Sequence, residues 1–143
     1  MLTWIQYVNG IVEGVIDDDR YQQIATVEPG GGYGLDIHEL LITPSSKALI
    51  LATDITTANL ASIGGPAHQQ RINGIVQEID IATGKVLFQW NSADHVPFSD
   101  SHAPMPSSSS TQWDWFHINA AHLDTDGNLL SSFGWTWPLV RRP

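Results

Sequence analysis

Strand–turn–strand units recur along this chain about every 40 residues, and that spacing constrains the fold more than any other feature. Turn signals centre near Ser45, Thr83 and Asp126. Thr43-Pro44-Ser45-Ser46 separates the apolar run ending at Ile42 from the one starting at Lys47. Gly74 to Ile81 alternates apolar and polar residues, turns at Ala82-Thr83-Gly84 and returns as Lys85 to Trp90. Asp126-Gly127 is the third hairpin signal. A repeat of this period is the signature of propeller blades. No amphipathic helix of useful length interrupts it, so the expected class is all-β. Propellers close with about 4–8 blades, whereas 143 residues supply about three. The expectation is therefore a partial β-propeller of about three blades, whose two open sheet edges invite self-association.

Around the hairpins the reading is simpler. Met1 to Asp19 reads as an edge strand and a second short strand, with Asp17-Asp18-Asp19 as a solvated turn. Tyr21 to Val27 reads as a strand that Glu28-Pro29-Gly30-Gly31-Gly32 ends. That glycine run lacks the Lys and the following helix of a phosphate-binding loop. Asp54 to Gln70 and the Ser- and Pro-rich Asp94 to Thr111 read as loops, and Trp135 to Pro143 as neither strand nor cap.

Charge and composition narrow the function. The net charge is -9, and none of the six Lys and Arg lies between Lys85 and Arg141. Nucleic acid is thus not an expected partner, because phosphate binding needs clustered cations. The absence of cysteine excludes disulfides and thiolate metal sites. No apolar run is long enough to span a bilayer, and Met1 to Gln6 has no basic segment before an apolar stretch. The compartment stays open.

Chemistry-bearing residues concentrate in two places. Read as a strand, Trp113 to Asn119 puts Trp115, His117 and Asn119 on one face and Phe116 and Ile118 on the other. A solvated strand face is the plain alternative. Asp36 and His38 lie two apart, where a carboxylate can fix an imidazole's tautomer. His38 and His117 are 79 residues apart, and neither has a local His-x-x-x-His partner. Asp124-x-Asp126-Gly127-Asn128 lacks the later acidic ligand of a calcium loop and reads as a hairpin turn. No metal or cofactor is expected.

Five ordered stretches carry a family resemblance. They are Gly32 to Pro44 with its Asp36-x-His38-Glu39; Ser62-Ile63-Gly64-Gly65-Pro66; Gly74 to Phe88; Asp94-His95-Val96-Pro97; and Phe116-His117-Ile118-Asn119 through Leu130. The sequence resembles the arylsulfotransferase family of β-propellers over nearly all of its length to about Ser132. The resemblance implies transfer of a sulfuryl group from an aryl sulfate to a phenol, without a nucleotide donor, through a sulfo-histidine. It implies His117 as catalytic and His38 and Asn119 as substrate-binding, gripping the sulfuryl oxygens in a common cleft.

The match has departures. Where the family has Ser-x-Arg-Asn-Thr, this chain has Ser131-Ser132-Phe133-Gly134-Trp135-Thr136, without the Arg. The family's nucleophilic histidine belongs to a later blade. The division expected is a family-like fragment over residues 1–132 and a divergent tail over 133–143, truncated relative to the family. The chain alone is expected not to turn over an aryl sulfate. The rival expectation is a non-catalytic propeller fragment that binds a ligand or protein.

Overall fold

The computed structural model describes residues 1–135 and the backbone of 140–142. Among the described residues, ten strands form three antiparallel sheets. The first contains β1 (Leu2–Val8), β2 (Ile11–Asp17) and β3 (Gln23–Val27). The second runs in order through β4 (Gly34–Thr43), β5 (Lys47–Ala58), β6 (Gln69–Asp80) and β7 (Val86–Asn91). The third holds β8 (Ile118–Leu123), β9 (Leu129–Phe133) and β10 (Val140–Arg142). The all-β class holds, and the three expected hairpins turn at the expected places. These are three blade-like sheets, and no strand pairing joins them into a closed ring among the described residues.

A fourth hairpin comes from Asn9-Gly10. Both residues have positive φ, 51° and 86°, which suits a two-residue turn between β1 and β2. The segment Asp54 to Gln70 is not a loop throughout. β5 and β6 pair from Lys47–Asp80 to Ala58–Gln69, so only residues 59–68 connect them. β-Branched Ile55, Thr56 and Thr57 extend the ladder. Asp17 is not solvated either, since it ends β2 with 4% of its surface exposed. β10 pairs with β9 inside the tail that was expected to be irregular. Residues 136–139 and 143 lie outside the described residues.

Two cores flank the second sheet. Ala48 and Ile50 of β5 face one core, with Ile16, Val27, Leu35, Leu40 and Ile79. Leu49 and Leu51 face the other, with Trp90, Trp113, Trp115, Phe116 and Ile118. Strand alternation thus explains the unbroken apolar run Ala48 to Ala52: both of its faces are covered. The second core is aromatic and lies beneath residues 113–118, which come over the second sheet before β8 starts. Burying each such aromatic is worth about 1.5–3 kcal/mol.

Candidate active site

The site is built where two strand registers break. On β4, Leu35 pairs with Ala52 and Leu40 with Ile50, so Asp36, Ile37, His38 and Glu39 stand opposite Leu51 alone. Such a bulge expels side chains from the ladder and re-aims them. Ile37 is left 68% exposed. Asp36 Oδ1 accepts the His38 backbone N–H at 2.9 Å and lies 2.7 Å from His38 Nδ1. Glu39 Oε2 accepts the Ala121 N–H at 2.6 Å, tying the bulge to β8 of the third sheet.

Residues 113–117 are not a strand, contrary to the alternating reading. Trp115 and Phe116 are both fully buried, and β8 starts only at Ile118, after a left-handed His117 that breaks the alternation. Trp113 instead bridges β6, accepting from Ile72 N and donating to Gln70 O. Trp115 Nε1 donates to Asn73 Oδ1 at 3.3 Å. Gly74 permits the crossing, because a Cβ there would lie 2.7 Å from Phe116 and 2.9 Å from Ile118. The turn ends at His117 in the left-handed region, φ 49°, which is uncommon for a residue with a side chain. Asp114 holds it with both carboxylate oxygens. Oδ1 accepts the His117 N–H at 3.1 Å, and Oδ2 lies 2.5 Å from His117 Nδ1.

The fold brings the two dyads together. The imidazoles of His38 and His117 meet edge to face with centroids 5.3 Å apart, despite their separation in the chain. Each commits Nδ1 to a carboxylate, which leaves Nε2 as a lone pair in the neutral ring and as a donor in the imidazolium. A cleft of about 180 Å³ adjoins His117 but is not lined by His38. Asp36, Asp114, His117 and buried Asn73 supply its polar wall, and Ile55, Ile72 and Ile118 its apolar one. His38 itself lines a neighbouring groove with Trp4 and Glu39.

Asn119 takes a different place from the strand-face expectation. Ile118 pairs with Phe133 and Ala120 with Ser132, so Asn119 has no residue opposite it and is exposed. It does not wall the His117 cleft. Arg71 is close by on β6 but turned to other work. Its Nε donates to Thr56 Oγ1 at 3.1 Å and its guanidinium lies 4.8 Å over the Phe98 ring. Burial pulls its pKa below the ordinary value, while Asp54 and Asp94 push it back up.

The sequence profile of the arylsulfotransferase (ASST) family matches residues 9–141. The chain belongs to the arylsulfotransferase family. No curated protein and no solved structure matches it significantly. Within this family member, sequence reasoning missed three positioning groups. Asp114 had a legible signal, a carboxylate three residues before His117. Glu39 had none, because its partner is a backbone N–H on another sheet. Gly134 had none either. Its N–H donates to His117 O at 2.8 Å, and a Cβ there would lie 2.8 Å from the imidazole.

Proposed function

We propose that this arylsulfotransferase-family chain moves a sulfuryl group from an aryl sulfate to a phenol through a sulfo-histidine, with His117 as the catalytic residue and nucleophile in place of the later-blade histidine that the resemblance implies, against the expectation that the chain alone does not turn over. The observation that carries the reading is the pair of Asp–His dyads facing each other at 5.3 Å. With Nδ1–H donating to Asp114, neutral His117 presents the Nε2 lone pair to sulfur. As the N–S bond forms, the S–O bond to the aryl group breaks, and the phenolate leaves with the electron pair. His38, as imidazolium, turns its one free N–H, on Nε2, first to a sulfuryl oxygen and then to the phenolate, which it protonates. The acceptor phenol then gives its proton to neutral His38 while its oxygen attacks sulfur, and the N–S bond breaks back to Nε2. Asn119, on the exposed bulge of β8, is assigned a contact to the substrate outside the cleft. The Asp36⁻–His38⁺ pair is electrically neutral, while the attacking pair of Asp114⁻ and neutral His117 carries one negative charge, which the imidazolium of His38 offsets.

A binding role without turnover is the second reading. It is favoured by one observation: among the described residues that line the cleft, none is Lys or Arg. Among the described residues, charge building on the sulfuryl oxygens then meets imidazoles, amides and the Thr53 hydroxyl rather than a Lys or Arg. The test is incubation of the purified chain with a chromogenic aryl sulfate and a phenol, with mass spectrometry for sulfo-histidine. Turnover and adduct that both vanish in His117→Ala support the enzyme. Binding of phenyl sulfate without turnover, lost in His38→Ala or His117→Ala, supports the binding module. No binding at all removes the site assignment.

A further inference from the structure

We propose that Trp135 is the aryl-recognition residue of this site, the face on which the ring of an aryl sulfate packs. The inference rests on the sulfuryl-transfer reading and adds to it the group that selects aromatic over aliphatic esters. Trp90, Trp113 and Trp115 are 2%, 5% and 0% exposed and belong to the core. Trp135 does not; 40% of its surface is open. Among the described residues, this large aromatic side chain beside His117 belongs to neither core.

Its position is held from both sides. Gly134 packs against the His117 imidazole and donates to the His117 carbonyl, so the next residue must emerge at that ring. The Trp135 carbonyl accepts the His102 N–H at 2.7 Å. The indole therefore stands 6.5 Å from the His117 ring, tilted 70° to it. In an aryl sulfate bound for attack by His117 Nε2, the ring lies one ester oxygen beyond the sulfur. A ring packed on the open indole would lie in the about 4.5–7 Å range at which aromatic pairs attract. An aliphatic ester of the same size offers no ring quadrupole and gains only contact area. The apolar wall of Ile55, Ile72 and Ile118 cannot make that distinction, because aliphatic side chains serve both esters alike.

The experiment follows phenyl sulfate and cyclohexyl sulfate binding to the whole chain by NMR, reading the indole N–H of Trp135 and the imidazole signals of His38 and His117. Phenyl sulfate should move all three. Its affinity should fall about three- to tenfold in Trp135→Leu and be kept in Trp135→Phe. Cyclohexyl sulfate should bind more weakly and be indifferent to both substitutions. Shifted histidines with an unmoved Trp135, or equal affinity in Trp135→Leu, overturn the aryl role and leave the sulfuryl site standing. If neither histidine moves, the site reading itself falls and the aryl role with it. An unchanged amide spectrum in both variants shows that exposed Trp135 is not a folding residue; its collapse in both overturns the proposal.

Discussion

The two dyads do the same thing by different means. Asp36 and His38 sit in a bulge of a ten-residue strand, with side chains 14% and 31% exposed. One oxygen of Asp36 makes both contacts to His38. The surrounding sheet and the Glu39 stitch hold the rest. Asp114 and His117 sit in a turn outside any strand, 37% and 40% exposed, with one carboxylate oxygen for each contact. There the backbone is left-handed and the carboxylate is the principal local restraint. Both are versions of a device the chain uses elsewhere. Asp18, Asp80 and Asp124 also accept N–H groups two to four residues ahead, closing ordinary turns. At Asp36 and Asp114 the residue being clamped is a histidine, and a turn device becomes a way to aim an imidazole.

The comparison breaks most easily at the floor of the turn. Trp115 is fully buried beneath the His117 turn. Trp115→Ala should lower stability by about 3–5 kcal/mol, read from urea unfolding. It should also loosen His117 more than His38, read from the spread of their imidazole signals. Equal disturbance of both would mean that the bulge and the turn share one support.

Removal of the carboxylates is the next largest effect. Asp114→Ala should reduce turnover of a chromogenic aryl sulfate about a hundredfold, since His117 loses tautomer and backbone restraint together. Asp36→Ala should reduce it about tenfold, because the bulge remains in place. Asp36→Ala as damaging as Asp114→Ala would reverse the distinction drawn between sheet-held and carboxylate-held rings. A chain that proves inactive can be read by imidazole nitrogen shifts instead, where Asp114→Ala should change the His117 tautomer.

The smallest effect tests the shared device where no imidazole takes part. Thr83 donates its N–H and its hydroxyl to Asp80 Oδ1, and these bonds hold the Asp80 pKa below the ordinary carboxylate value. A depressed folded pKa contributes stability that is present above the unfolded carboxylate value. That contribution is lost as pH falls through the folded pKa. Thr83→Ala should raise the Asp80 pKa and weaken the acid dependence of stability slightly, with no effect on aryl sulfate turnover. An NMR titration of Asp80 checks it; an unmoved pKa would mean that the hydroxyl does not set it.

Much of the fold was legible because its causes are local. Alternation over β6, the Pro and Gly turn signals and the absence of helical periodicity each act within a few residues. So do the carboxylates placed two or three residues before His38 and His117, although only the first was read as a partner. Where the reading failed, distant packing decided. Trp115 and Phe116 both turn inward because an aromatic core lies beneath them, which overrides strand alternation at His117. Asn119 leaves the expected face because β8 pairs with β9 through a bulge.

By itself the sequence determined the all-β class, three of the four hairpin turns and the family, and it singled out His38 and His117 as candidates. Only the tertiary structure decided that they meet. A register slip in β4 and a left-handed turn before β8 are settled by which side chains pack between sheets, not by the residues that slip or turn. The same holds for Glu39, whose partner is a backbone group, and for Trp135, whose place depends on a glycine lying flat against His117. Backbone groups carry no residue signature, and contact across sheets depends on distance in space rather than along the chain.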